Sequence, residues 1–174
     1  MEKLHHFLAI IRLMRDYQHE HNIESQCLYN TQYAYDKAIE LGIEVKVIAV
    51  ISIGKINDTD TAITTGHVVL EYEGDIIDPS YQQSCQQNIT YYETIDEAIK
   101  ACPKNLQSLI YTKKYIRRHL HFVRYAANMN AGRTHLARTN RYYLDQKQIV
   151  EAQFSLIEKF YSILKSTIPQ QSIP

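Results

Sequence analysis

Residues 66–80 of this 174-residue chain read GHVVLEYEGDIIDPS, a pattern that predicts a β-hairpin. Apolar side chains at positions 68, 70 and 72 alternate with a second set, as on a strand with two different faces. A two-residue turn at Glu73-Gly74 would join this strand to a second one. The second strand ends before Pro79, because proline cannot donate to the ladder of a sheet.

The length of that turn determines which polar side chains share a face of the hairpin. With a two-residue turn, Asp78 lies opposite Val69 and therefore on the face of His67, one diagonal step away. Diagonal neighbours are about 7–8 Å apart at the backbone, a distance that an imidazole side chain can bridge. A three-residue turn would place Asp78 on the other face. The sequence thus predicts a His67–Asp78 pair, provided that the turn contains an even number of residues.

A third reactive side chain, Cys27, stands forty residues before His67 at the predicted start of a helix. Ser25 is a suitable N-cap for that helix, which we expect over about residues 26–41. A helix N-terminus and a neighbouring histidine both lower the pKa of a thiol, so that thiolate is present at neutral pH. Cys27 would then act as nucleophile in acyl chemistry, with His67 as base and Asp78 as orienting acid.

Each of these residues also has a purely structural interpretation. Cys27 could be a small apolar residue on the buried stripe of its helix. His67 could be a polar residue on an exposed hairpin face, and the Asp-Pro step at Asp78 is a common opening of a turn. For the oxyanion of an acyl intermediate, the candidate donors are the backbone N–H of Cys27 and the side chains of Gln26 and Gln18.

The remainder of the chain predicts an α+β protein with an antiparallel sheet of three strands, since helices and strands do not alternate. Residues 44–53 are apolar on both faces and predict a central strand, followed by a polar loop over 54–65. A capping box at Thr94 opens a short helix to about residue 102. Further helices are expected over residues 2–20, 104–128 and about 140–166.

The size and composition predict one domain over residues 1–174. Its core would span about 22–102, its helical C-terminal extension about 103–166, and its flexible tail 167–174. The chain shows no signal peptide and no apolar run of the ~20 residues that span a bilayer, so we expect a cytoplasmic protein without a membrane partner.

No cofactor and no metal is expected. The three cysteines lack the paired spacing of a zinc site or a disulfide framework. No glycine-rich phosphate loop of the common nucleotide-binding types is present. The oligomeric state is not indicated.

Charge is unevenly distributed although the net charge is zero. Residues 104–141 contain no aspartate or glutamate and are rich in lysine and arginine. Such a stretch could bind an anionic partner, for example a nucleic acid. It could equally pack against the more acidic first half of the chain.

Three motifs together resemble the transglutaminase-like branch of the papain-type cysteine enzymes. They are Cys27-x-x-Asn30, the Gly-His strand that begins at residue 66, and the Ile-Ile-Asp-Pro-Ser run that ends at residue 80, within about residues 22–81. The resemblance implies a papain/transglutaminase-like core, with the helix-borne cysteine packed on a small antiparallel sheet and C-terminal helices added. It implies Cys27 as nucleophile, His67 as base and Asp78 as orienting acid.

The activity implied by this resemblance is cysteine-dependent hydrolysis of amide or peptide bonds through a thioester acyl-enzyme, with a protein or peptide as substrate. One alternative is an acyltransferase of the transglutaminase or deamidase type. Another is a catalytically inactive binding protein that uses its basic helical half.

Overall fold

A computed structural model of the chain describes residues 2–23, 27–55, 62–81, 89–102, 149, 152, 155–164 and 166. Within these ranges the protein is mixed α+β, with four helices and a curled antiparallel sheet of four strands, as the sequence predicts in outline. The helices are α1 (Glu2–Glu20), α2 (Cys27–Glu40), α3 (Ile95–Ala101) and α4 (155–164). The strands are β1 (Lys46–Lys55), β2 (Ala62–Tyr72), β3 (Asp75–Ile77) and β4 (Ile89–Tyr92).

The sheet has the order β3-β2-β1-β4, and every neighbouring pair is antiparallel. The prediction that β1 lies inside the sheet is confirmed: its consecutive residues Val50 and Ile51 are both fully buried, so it is covered on both faces. The predicted loop over 54–65 is wrong at both ends, because Lys55 pairs with Ala62. The β-branched residues that open β2 suit a pleated, half-buried surface in spite of the polar threonines among them.

The fourth strand, β4, is absent from the sequence-based prediction. It is only four residues long and pairs with the far edge of β1, from Ile51 opposite Tyr92 to Gly54 opposite Ile89. A segment this short shows too few alternations for a period of two to be recognised.

The hairpin turn has the predicted two-residue form. Tyr72 pairs with Asp75, and both turn residues have positive φ, 50° at Glu73 and 92° at Gly74. Positive φ at both central positions is the geometry of a type I′ turn, whose twist matches that of the strands. The register therefore keeps Asp78 on the face of His67.

Two groups of helices cover opposite ends of the sheet. Residues of α1 and α2 pack with Leu70 of β2 in one apolar cluster, and residues of α3 and α4 pack with Ile51 and Ile53 of β1 in another. The buried residues of α4 recur at positions 157, 160, 161 and 164, the spacing of one helix face. The helices of the first cluster, α1 and α2, also carry the polar side chains that hold the site.

The predicted N-cap of α3 at Thr94 is confirmed, since its hydroxyl accepts a hydrogen bond from the Glu97 N–H at 3.4 Å; the Glu97 carboxylate in turn accepts from that hydroxyl at 2.7 Å. Helix α4 lies within the helix predicted for residues 140–166. The predicted N-cap Ser25, the helix over 104–128, the basic stretch 104–141 and the tail 167–174 lie outside the described residues. Among the helices that the structure describes, none has the length and apolar character needed to cross a membrane.

Candidate active site

Helix α2 brings Cys27 to the open edge of β2. Strand β3 pairs with β2 only from Leu70 to Tyr72, so the part of β2 that precedes Leu70 has no β3 partner on this side. There the hydroxyl of Thr31, fully buried, donates to the Val68 carbonyl oxygen at 2.9 Å. This bond docks α2 against the strand edge, and Cys27 lies one helical turn before Thr31.

The His67–Asp78 pair that the two-residue turn predicts is present. The distance from His67 Nε2 to Asp78 Oδ2 is 2.9 Å, and both residues are buried, with 4% and 8% of their surface exposed. Asp78 follows the end of β3 directly, so the contact depends on the register of the hairpin.

The imidazole of His67 also hydrogen-bonds the side chain of Cys27, which is 3% exposed. Because Nε2 is engaged by Asp78, the thiol faces Nδ1. The three side chains thus form a chain of contacts in the order sulfur, imidazole, carboxylate. This is the order that the sequence predicts, and the catalytic roles of the three residues remain predictions.

Electrostatics favour the charged forms of the histidine and the aspartate. Burial disfavours the imidazolium of His67, but the Asp78 carboxylate and the Cys27 side chain outweigh it and raise the pKa of His67 to about 10. Burial likewise opposes the Asp78 carboxylate, but His67 and the hydrogen bonds from Tyr91 and the Ser80 N–H hold the pKa of Asp78 below its usual value. The site therefore stabilises an imidazolium between two acidic groups.

Tyr91 of β4 is a site residue that sequence reasoning missed. Its hydroxyl donates to Asp78 Oδ2 at 2.5 Å, and its ring lies nearly parallel to that of His67, with centroids 6.0 Å apart and an interplanar angle of 18°. The β-branched and aromatic residues of the run 89–92 have a composition typical of strands, which could have indicated β4. Even so, only the sheet order shows that Tyr91 reaches Asp78.

Helix α1 holds the backbone that follows Asp78. Arg15 donates to the Asp78 carbonyl oxygen at 3.0 Å, and Gln18 Nε2 donates to the Pro79 carbonyl oxygen at 2.9 Å. Gln18 Oε1 accepts from the Tyr81 N–H at 2.9 Å. We call these contacts of Arg15 and Gln18 with residues 78–81 the α1 clamp; it orients the segment that carries the carboxylate.

The α1 clamp corrects one prediction about the oxyanion site. Gln18 is 4% exposed, and its Nε2 donates to the carbonyl oxygens of both Met14 and Pro79, which uses both amide protons. No donor of Gln18 remains for an oxyanion, so its role is structural. Asn30 Nδ2 completes the arrangement by donating to Gln18 Oε1 at 2.9 Å. The other side-chain candidate, Gln26, lies outside the described residues, and the backbone N–H of Cys27 stays a prediction.

Within the part of the chain that the structure describes, no group of three or more histidine, cysteine, aspartate or glutamate side chains is arranged to hold a metal ion. Cys102 is half-buried and packs against the cluster formed by α3 and α4. Burial raises the pKa of the Cys102 thiol. The contrast in surroundings makes Cys102 an internal reference for the reactivity of Cys27.

No protein-family model matches this chain, and neither a curated protein nor a solved structure is significantly similar to it. What the site does is therefore inferred from its own geometry. A thiol on a helix, in contact with an imidazole that a buried carboxylate orients, is an arrangement capable of nucleophilic attack on a carbonyl carbon.

Proposed function

We propose that this protein is a cysteine-dependent hydrolase of amide or peptide bonds that uses Cys27, His67 and Asp78 on a papain/transglutaminase-like core. The observation that carries the proposal is the position of His67, which hydrogen-bonds Cys27 on one side and Asp78 on the other within a buried site. The order of the three residues along the helix, the strand and the end of the hairpin supports the same assignment.

In the acylation step, the imidazole of His67 holds the proton of the Cys27 thiol, and the thiolate sulfur attacks the carbonyl carbon. A carbon–sulfur bond forms and the carbon–nitrogen bond breaks, while the imidazolium passes its proton to the departing amine. In the second step His67 takes a proton from water, whose oxygen displaces the sulfur. Asp78 remains ionised throughout and keeps Nδ1 directed at the sulfur.

A buried ion pair alone would be a weak argument, because such pairs also occur as structural elements. We favour a catalytic role for the His67–Asp78 pair because a third, nucleophilic side chain, Cys27, hydrogen-bonds His67. Cys27 also lies in the first described turn of α2, and the sequence predicts the N-terminus of this helix close to it, where the partial positive charge of a helix end would stabilise an anion.

Transfer of the acyl group to an amine, as in a transglutaminase, would pass through the same acyl-enzyme. The described residues contain no observation that favours an amine over water as acceptor. Trapping the acyl-enzyme therefore tests both reactions at their shared step.

The first test is the pH dependence of alkylation by iodoacetamide, followed by peptide mass spectrometry. We expect Cys27 to react well below pH 7, and Cys102 only near or above the usual thiol pKa of about 8.5. In His67→Asn the rate at Cys27 should fall to that of an ordinary thiol. A native Cys27 that does not react, or that follows the pH profile of Cys102, would contradict the proposal.

A second test traps the intermediate itself. Incubation with p-nitrophenyl acetate should release a burst of nitrophenol and leave an acetyl group on Cys27. The matched variants are Cys27→Ala, which should lose both signals, and Cys102→Ala, which should keep them. Equal bursts from the two variants would reject Cys27 as the nucleophile.

A further inference from the structure

One oxygen of the Asp78 carboxylate receives two hydrogen bonds. His67 Nε2 approaches Oδ2 at 2.9 Å and the Tyr91 hydroxyl approaches the same atom at 2.5 Å. The other oxygen, Oδ1, accepts from the Ser80 N–H at 2.8 Å. The histidine and the tyrosine therefore compete for the negative charge of a single atom.

The direction of the tyrosine hydrogen bond is determined by a second contact. Arg15 hydrogen-bonds Tyr91 and also donates to the Asp78 carbonyl oxygen at 3.0 Å. A guanidinium can only donate, so Tyr91 Oη accepts from Arg15 and its own proton points to Asp78. Burial and the charge of Asp78 raise the pKa of Tyr91, which keeps that proton in place.

We propose that Tyr91 is a positioning residue of the site, which shares Asp78 Oδ2 with His67 and so limits how strongly the carboxylate holds the imidazolium. This inference rests on the proposed function. Without the tyrosine proton, the carboxylate would carry more charge toward His67 and make the imidazole a stronger base. A base that holds its proton too tightly is less often neutral and available to accept a proton from water.

The ring of Tyr91 adds a geometric constraint. It lies nearly parallel to the imidazole at 6.0 Å, so it limits rotation of His67 away from the plane in which Nδ1 meets Cys27. Among the residues that the structure describes, the titratable and charged groups that face His67 are Asp78, Cys27 and Tyr91, and Arg15 lies on the other side of Tyr91. Removing only the hydroxyl separates the electrostatic effect from the effect of the ring.

The test compares Tyr91→Phe with the matched control Tyr92→Phe, which removes a hydroxyl from the neighbouring residue on the other face of β4. Tyr92 packs with the cluster of α3 and α4, away from the site. Long-range proton–nitrogen NMR measures the pKa of His67, whose signals are assigned by their loss in His67→Asn. We expect Tyr91→Phe to raise the pKa of His67 by about 0.5 to 1, and Tyr92→Phe to leave it unchanged.

A second readout follows hydrolysis of the acetyl-enzyme. At pH 7 the fraction of neutral His67 falls with the rise in its pKa, so hydrolysis in Tyr91→Phe should slow by about 3- to 10-fold and recover as the pH rises. A tyrosine that only supports the fold would slow hydrolysis equally at every pH. An unchanged or lowered pKa of His67 in Tyr91→Phe, or a deficit independent of pH, would overturn the inference.

The two proposals fail in different measurements. An unreactive Cys27 in the wild-type protein would overturn the proposed hydrolase function and, with it, the role of Tyr91 in catalysis. A reactive Cys27 together with an unchanged pKa of His67 in Tyr91→Phe would overturn the role of Tyr91 alone.

Discussion

Replacing Gln18 by leucine keeps the volume of the side chain and removes four hydrogen bonds. The amide donates to the carbonyl oxygens of Met14 and Pro79, and accepts from Asn30 Nδ2 and the Tyr81 N–H. The Met14 carbonyl oxygen remains within the hydrogen-bond ladder of α1, whereas the polar groups of Pro79 and Tyr81 lose this partner. Each buried polar group left without a partner costs about 1–3 kcal/mol, so we expect the variant to lose about 3 kcal/mol of unfolding free energy.

That loss is large compared with the total stability of a domain, about 5–15 kcal/mol. It should appear as a lower urea midpoint with an unchanged slope, and as a fall in Tm of about 6–12 °C. Gln18→Glu keeps an acceptor oxygen for Tyr81, but it turns a buried carboxylate oxygen toward the carbonyl oxygens of Met14 and Pro79, so its cost should be at least as large. The control is Arg12→Ala, on the exposed side of α1. If Gln18→Leu costs no more than Arg12→Ala, the α1 clamp does not hold the segment after Asp78.

Two further predictions concern the same site. The pKa of His67 is about 10 in the folded protein and near 6.5 when unfolded, so its contribution to stability is full below pH 6.5 and is lost as the pH rises toward 10. Chemical unfolding across this range should show a decline that is weaker in His67→Asn, and equal declines would contradict the ion pair with Asp78. Thr31→Val removes the bond to the Val68 carbonyl oxygen with little change of shape. It should cost about 1–2 kcal/mol and slow alkylation of Cys27, while a variant with wild-type stability and alkylation would show that this bond does not dock α2.

The His67–Asp78 contact could be predicted from the sequence because it depends on local rules. The two residues are eleven positions apart, and the alternation of the strand and the length of the Glu73-Gly74 turn together determine their shared face. The sequence also predicts the helix that carries Cys27, from the periodicity of its apolar residues. The contact of Cys27 with His67 was not predictable in this way, because no local rule says where a helix docks on a sheet.

The residues that support the carboxylate could not be found in the same way. Gln18 and Arg15 lie more than sixty positions from the backbone they hold. In the sequence they resemble ordinary polar residues of a surface helix. The sequence therefore offers Gln18 as one candidate oxyanion donor, whereas in the structure Gln18 Nε2 donates to the carbonyl oxygens of Met14 and Pro79.

Local patterns of this chain therefore determine the hairpin and its register, and they single out Cys27, His67 and Asp78 as candidate site residues. The tertiary structure decides which groups surround them: Tyr91 arrives on a strand too short to recognise, and α1 closes over the segment after Asp78. The physical reason is that side-chain periods and turn geometry act over a few residues. Burial and the sharing of one carboxylate oxygen, by contrast, depend on elements that meet only after the chain has folded.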